Sequence, residues 1–397
     1  MLPALVGICV FTPCLAGIGQ ARAAPQNGAA GETAMKYCRR CLLPERVPGA
    51  DLGDTGLCRL CREYDASQAR HDEGVRQQRE ADLEAALHTC RGRGEYDCLV
   101  PVSGGKDSLY LLYTLKKNYN LRILAFTTDV NLPPLAWKNI KRALRLLDID
   151  HLAYASSFSF YTKLFRYLLQ NQEERGAVYT ISYVYAPLFE GDAIKIALEK
   201  KIPLVLAGYS PGQPDPARMC YEFSREMLCC TDWAPPALRR SKAFTEAELN
   251  RFFTPGDVSP DTAFPRYLAP FHAWEYNQEQ VMRTVAKAGL VAKGSHANPV
   301  LTNYPINWLL MYSDLNHFGY NPYHPEFSAL IREGKANRMY WKCMTSLVNT
   351  MIRRKLFLGR EVRKSLRWLG LAENELQITQ PRGAYDPPCV AQKNRTG

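Results

Sequence analysis

Val100-Pro-Val-Ser-Gly-Gly-Lys-Asp-Ser108 joins two segments of different character. Before it runs the apolar, strand-like Tyr96-Asp97-Cys98-Leu99-Val100. After it comes the helix-like Leu109-Tyr-Leu-Leu-Tyr-Thr-Leu-Lys116. A glycine pair at a strand-to-helix turn lets backbone N–H groups come close to an anion. The helix that follows points its positive dipole end at the same place. Ser103 and Ser108 add hydroxyl donors and Lys106 adds a point charge for phosphate oxygens. The local chemistry is a polyphosphate cradle. The common nucleotide loop is excluded, because it needs a glycine where this chain has Val100. The dinucleotide fingerprint, with three spaced glycines, is excluded too.

Outward from this turn, strands and helices alternate. The pattern predicts strands at Asp97–Val102, Arg122–Thr128, His151–Ala155 and Ile202–Ala207. It predicts helices at Asp107–Lys117, Pro134–Leu147, Phe158–Gln170 and Ala186–Lys200 between them. Such alternation implies an α/β fold, a parallel sheet with helices on both faces. Ligands of these sheets sit at the carboxyl ends of the strands. The Ser-Gly-Gly turn, Thr128-Asp129 and Gly208-Tyr209-Ser210 occupy such ends and are expected to converge. Asp129 is a candidate site residue on this geometry, or else a turn-forming residue before Asn131 and Pro133-Pro134.

Ahead of the sheet, Cys38-x2-Cys41 and Cys58-x2-Cys61 are separated by sixteen residues. This spacing predicts a zinc-ribbon or treble-clef array, with Gly49, Gly53 and Gly56 supplying turns. Four thiolates close a tetrahedral Zn²⁺ site, which makes it structural. An iron–sulfur cluster is the alternative. A polar helix, Gln68 through Ala86, connects the array to the sheet. Beyond about Pro211, Pro, Asp and aromatic residues dominate. Helices are then predicted at Asn277–Ala288, Pro305–Phe318, Pro325–Gly334, Ala336–Lys355 and Gly359–Leu369. The expected organisation is an N-terminal extension over 1–34, the zinc ribbon over 35–65 and the connecting helix over 66–95. The α/β domain bearing the phosphate cradle follows over 96–235, a mostly helical substrate or partner region over 236–373, and a flexible tail over 374–397.

The 397 residues are 46% hydrophobic and 22% charged, a soluble globular composition with formal charge +11. Anionic partners are therefore expected, such as ATP, a nucleotide-linked sugar or RNA. The 13 cysteines are too dilute for a secreted disulfide scaffold. Leu2 to Gly19 is apolar and Ala21-Arg22-Ala23 looks like a cleavage site, but no Lys or Arg precedes the run. Met35 opens the cysteine segment, so residues 1–34 are read as an upstream or disordered extension. No other run reaches the roughly 18 apolar residues needed to span a membrane. The expected location is cytoplasmic, with no membrane partner.

Ser103-Gly-Gly-Lys-Asp-Ser108 resembles the pyrophosphate loop of the ATP pyrophosphatases, which cleave ATP between the α- and β-phosphates. Tyr37-Cys-Arg-Arg-Cys-Leu-Leu-Pro-Glu45 and Thr55-Gly-Leu-Cys-Arg-Leu-Cys-Arg-Glu-Tyr64 are similar to the opening of the N-acetyl sugar amidotransferases of that superfamily. Ile202–Gly208, Leu268–Glu275 and Phe327–Lys335 resemble their later segments. The family's Trp-Gly-Glu-Asn is replaced by Ala207-Gly-Tyr-Ser210, which leaves the acceptor open.

The resemblance implies the adenine-nucleotide α-hydrolase (HUP-like) fold. It implies that Ser103, Gly104, Gly105, Lys106 and Ser108 hold the pyrophosphate, with Asp107 on Mg²⁺ or on the helix end. Ser103, Lys106 and Asp107 are the catalytic candidates, and Asp129 and Gly208 complete the nucleotide site. The implied reaction adenylates an acceptor oxygen and replaces it with nitrogen, the acceptor being a nucleotide-linked sugar. No glutaminase signature is present, so separate glutaminase and ammonia-channel subunits are implied. The alternative is a tRNA-modifying enzyme, by thiolation or amidation, with Cys220, Cys229 and Cys230 as candidate thiols. His296, His317 and His324 are read as surface or capping residues, with a substrate pocket as the alternative. Arg332, Lys335 and Arg338 are candidate phosphate receivers, or an exposed basic face.

Overall fold

A computed structural model describes residues 35–64, 66–211, 220–228, 233–258, 262–291 and 304–386. Five parallel strands form one sheet in the order β3-β2-β1-β5-β6. They are β1 (Cys98–Pro101), β2 (Ile123–Asp129), β3 (Asp150–Ala155), β5 (Leu204–Leu206) and β6 (Arg266–Leu268). Two short parallel strands, β4 (Gln172–Glu173) and β7 (Ile378–Gln380), pair apart from it.

Side-chain alternation along the strands builds two cores. Leu99, Leu124, Phe126, Val205 and Tyr267 point to one face, against the helices Phe158–Gln170, Ala177–Glu199 and Ile306–Phe318. Val100, Ile123, Ala125, Leu204 and Leu268 point to the other, against Ala66–Thr89, Lys106–Asn118, Pro134–Leu147 and Gln278–Lys287. Helices therefore cover both faces, as the alternation implies. The order reverses at β1, with β2 on one side and β5 on the other, and such a switch point opens a crevice for ligands.

Three expectations change. The sheet does not stop near residue 235, because β6 adds a fifth strand after the aromatic segment. A three-residue strand is too short to show period-two alternation. The helix expected from Ala186 begins at Ala177 and runs through Pro187. It is buried over most of its surface, so its sequence has no polar face to mark it. Its N-terminus is capped from a distance: Asp314 accepts hydrogen bonds from the N–H groups of Ala177 (2.5 Å) and Val178 (3.1 Å).

The tail after Glu373 is not loose over its described part. Residues 378–380 pair with β4, Tyr385 is fully buried and donates to Asn171 O at 2.6 Å, and Asp386 pairs with Arg175 at 2.6 Å. Arg175 also holds Glu173, which has no exposed surface. The expected N-terminal extension lies outside the described residues. Among the described residues no helix is long and apolar enough to cross a membrane.

Burial pushes the Asp314 carboxyl up from 3.8 to about 7, with the two N–H donors pulling the other way. The folded state then holds this proton more tightly than the unfolded chain. The Asp314 contribution to stability is therefore fully present below the ordinary value and is lost as pH rises through the folded one. Urea midpoints should fall as pH is raised from about 4 to about 7, and the fall should be shallower in Asp314→Asn. Equal slopes in the two proteins would contradict the assignment.

Candidate functional site

The phosphate-type loop lies between β1 and the helix Lys106–Asn118. Gly104 has φ 77°, a left-handed backbone that glycine adopts without strain. A Cβ there would stand 2.5 Å from the Ala136 carbonyl oxygen, so the space also demands glycine. The end of β5 presses from the other side. A Cβ on Gly208 would lie 3.1 Å from Ser108 N and 3.2 Å from the Asp107 carbonyl carbon. Gly208 thus lets β5 reach the first helical turn, bringing two of the three expected strand ends together. Gly105 is the N-cap and offers no side chain, so the first-turn N–H groups are left to outside acceptors.

Ser103 is exposed and Ser108 buried, with its hydroxyl donating to Gly105 O at 3.1 Å. Lys106 is 7% exposed. Its ammonium donates to Asp107 Oδ2 (2.7 Å) and to the Tyr276 hydroxyl (2.8 Å), which itself donates to Asp107 Oδ1 (2.9 Å). Burial acts to discharge the lysine, but Asp107 and Tyr276 outweigh it and raise its pKa, so Lys106 stays a cation. Burial likewise pushes the Tyr276 hydroxyl up. Asp107 serves the local cluster first, holding Lys106 at the head of the helix.

Two partners of this cluster carry no motif. Tyr276 follows an aromatic segment 170 residues downstream of Lys106. Glu326 lies on the helix His324–Arg332, within electrostatic reach of Lys106 and Asp107. Burial pushes its carboxyl up to about 8, with Lys106 lowering it and Asp107 raising it. Its negative charge beside the loop is correspondingly disfavoured. Only their placement by tertiary packing reveals them.

Asp129 closes β2, where its Oδ1 accepts from Leu132 N at 3.0 Å, the turn-forming arrangement. Next to it, Thr128 Oγ1 is buried without a partner, and Tyr304 donates to Thr128 O at 3.4 Å. At the β5 end, Tyr209 donates to the buried Glu190 at 2.8 Å and meets the Tyr267 hydroxyl at 3.1 Å. Tyrosine hydroxyls thus line the strand ends beyond the loop.

The four cysteines form a buried cluster. Cys38 and Cys61 sulfurs are 3.7 Å apart, Cys41 and Cys58 are 3.6 Å apart, and all four lie within 4.8 Å of one another. Four sulfurs at the usual ~2.3 Å from one tetrahedral ion would be separated by about 3.8 Å. The donor set therefore fits a single ion. Burial opposes charge on Cys38, yet N–H groups of Cys41, Cys58 and Arg40 bring its thiol down to about 6. Gly49 (φ 78°) and Gly56 (φ 72°) make the turns.

This knuckle grips the helix His324–Arg332. Ile331 packs on its core, Arg332 Nη1 lies 4.0 Å from Cys41 Sγ, Arg40 donates to Arg332 O at 3.3 Å, and Tyr37 meets the His324 ring at 5.7 Å. Arg332 and His324 consequently belong to the knuckle contact. Lys335 pairs with Glu333 at 2.9 Å, and Arg338 Nε is buried without a partner. His317 bonds Ser313 one turn back at 3.4 Å, and Cys220 donates to Glu222 O at 3.1 Å. His296, Cys229 and Cys230 lie outside the described residues.

No protein-family model matches the chain, and no curated protein matches it. Among solved structures, a U34-tRNA thiolase from Methanococcus maripaludis, with its [4Fe-4S] cluster, is similar at TM-score 0.31 and 12% identity, covering 86% of this chain and 90% of its own. An NMN synthetase from Francisella tularensis gives 0.33 and 11%, covering 78% and 97%. An ammonia-dependent NAD synthetase from Campylobacter jejuni gives 0.31 and 11%, covering 79% and 99%.

Gly104→Ala should lose at least about 2 kcal/mol of stability, from the left-handed backbone and the collision with Ala136. A urea titration measures it, and a variant as stable as the parent would refute the loop geometry. Cys41→Ser should reduce bound metal from one equivalent to a small fraction, read by elemental analysis of the purified protein.

Proposed function

We propose that this chain is an ATP-dependent ligase that forms AMP and pyrophosphate while transferring nitrogen onto an anionic acceptor. The observation that carries the reading is the Lys106–Asp107–Tyr276 cluster, fixed at the first turn of the helix behind the glycine loop. A lysine kept charged at a helix N-terminus suits the negative charge that develops on a leaving pyrophosphate. Backbone N–H groups of the loop, with Ser103, Gly104, Gly105 and Ser108, hold the β- and γ-phosphates. Lys106 neutralises the leaving group, and Tyr276 orients Lys106 and Asp107 towards it. Glu326, whose carboxyl burial pushes up, opposes an incoming phosphate less than an ordinary carboxylate would. Mg²⁺ arriving with the triphosphate would neutralise phosphate charge, and Asp107 would be the residue to hold it, in exchange for a contact to Lys106 or Tyr276. Asp129 and Gly208 border the adenosine side of the crevice.

The acceptor oxygen attacks the α-phosphorus and pyrophosphate leaves. Ammonia then displaces AMP, which carries that oxygen away. The acceptor is read as a nucleotide-linked sugar and the ammonia source as a separate glutaminase with its channel. The single-ion spacing of the four cysteines supports zinc, in a structural role. Use of ATP as the substrate supports a cytoplasmic location.

Incubation with ATP, ammonium and nucleotide-linked N-acetyl sugars should yield AMP and pyrophosphate in equal amounts. Lys106→Met should lower the turnover by about 100-fold or more, with the fold intact by circular dichroism. Formation of ADP and phosphate instead would overturn the reading. Stimulation of AMP release by tRNA alone would replace the sugar acceptor and leave the activation step standing.

A further inference from the structure

The segment from Arg338 to Leu369 carries nine Lys or Arg residues against one acidic residue, Glu361. It comprises the helix Arg338–Arg354, a turn at Phe357–Gly359 and the helix Arg360–Leu369. The first helix buries Trp341, Val348 and Ile352 against the rest of the protein. Its opposite side should be polar throughout, as on an ordinary surface helix. Instead it mixes Lys342, Ser346, Thr350 and Arg354 with exposed apolar side chains. Met339 is 61% exposed and Leu347 55%, and Cys343 between them is also exposed, at a spacing of one helical turn. Past the end of that helix Leu356 is 45% exposed and Phe357 72%. Phe357 stands at φ 48°, a left-handed backbone rarely adopted by bulky residues, at the start of the turn. Lys342, Arg353, Arg354 and Arg360 are exposed around these side chains.

Two features of this face select its occupant. The charge is of nearly one sign, which asks for an extended negative surface. The exposed apolar groups are Met339, Leu347 and Leu356 with the rings of Tyr340 and Phe357, and together they ask for an apolar medium beneath that charge. A nucleic acid meets the first demand, but its phosphate surface has nothing to receive Met339, Leu347 and Leu356. An anionic bilayer meets both, since cations sit among headgroups while apolar side chains enter the acyl boundary. We propose that this face docks the protein on the surface of an anionic membrane. The contact is peripheral, requires no spanning segment, and goes beyond the ATP chemistry without depending on it.

Co-sedimentation of the full chain with phosphatidylcholine vesicles, with and without phosphatidylglycerol, tests the idea. Binding is expected only with phosphatidylglycerol, and should weaken as salt is raised. Leu347→Ser with Phe357→Ser should weaken it at least about tenfold. Lys342→Gln with Arg354→Gln should weaken it by roughly 25-fold, about fivefold per cation, and flatten the salt dependence. Circular dichroism and urea midpoints should be unchanged in both pairs, which reports that the variants are folded. Absence of binding to phosphatidylglycerol vesicles overturns the proposal, as does binding unaffected by the serine pair. Tight tRNA binding insensitive to the serine pair, without vesicle binding, would assign the face to RNA. A stable dimer that the serine pair dissociates, without vesicle binding, would assign it to a second copy.

Discussion

No side chain fits between the end of β5 and the first turn of the helix behind the Ser103–Gly105 loop. Gly208 touches Asp107 and Ser108 there, and Gly104 touches Ala136 on the other flank. These two backbone contacts fix where the loop lies in the crevice between β1 and β5. Much else in the site follows from them. Lys106 emerges from a buried first turn and finds Asp107 and Tyr276, and the uncapped N–H groups stay directed outward. Such a loop is prepared for charge before any ligand arrives, which is what electrostatic preorganisation requires.

The helix His324–Arg332 lies between two functional elements. One side carries His324, Ile331 and Arg332 against the cysteine knuckle, while Glu326, about half a helical turn round, comes within reach of Lys106 and Asp107. The knuckle thus fixes the pose of a helix whose other side carries Glu326 towards Lys106 and Asp107.

Local chemistry explains what was legible in the sequence. The strand-loop-helix unit announced itself because Gly104, Lys106 and their apolar flanks are contiguous, and so did the cysteine pairs. Alternation of apolar runs gave the parallel sheet and its two covered faces. What escaped has no local signature. β6 is three residues long, the helix Ala177–Glu199 lacks a polar stripe, and β7 gains its partner from residues some two hundred positions earlier. Tyr276 and Glu326 look ordinary in sequence, and only packing sets them beside Lys106. Asp129 shows the reverse, since a residue well placed for a ligand is engaged in closing its own turn.

β4 and β7 join residues 172–173 to residues 378–380, and Glu173, Arg175 and Asp386 lock the joint from inside. Glu173 is wholly buried, and its guanidinium partner Arg175 is completed by Asp386, more than two hundred positions later. During synthesis the N-terminal three strands can pair early, because their partners are near in sequence. The entry to the long central helix stays open until residues 378–386 return to it, and the Asp314 carboxyl must also arrive before that helix is capped. Closing this joint brings together residues more than two hundred positions apart, so it is a late, non-local step of folding.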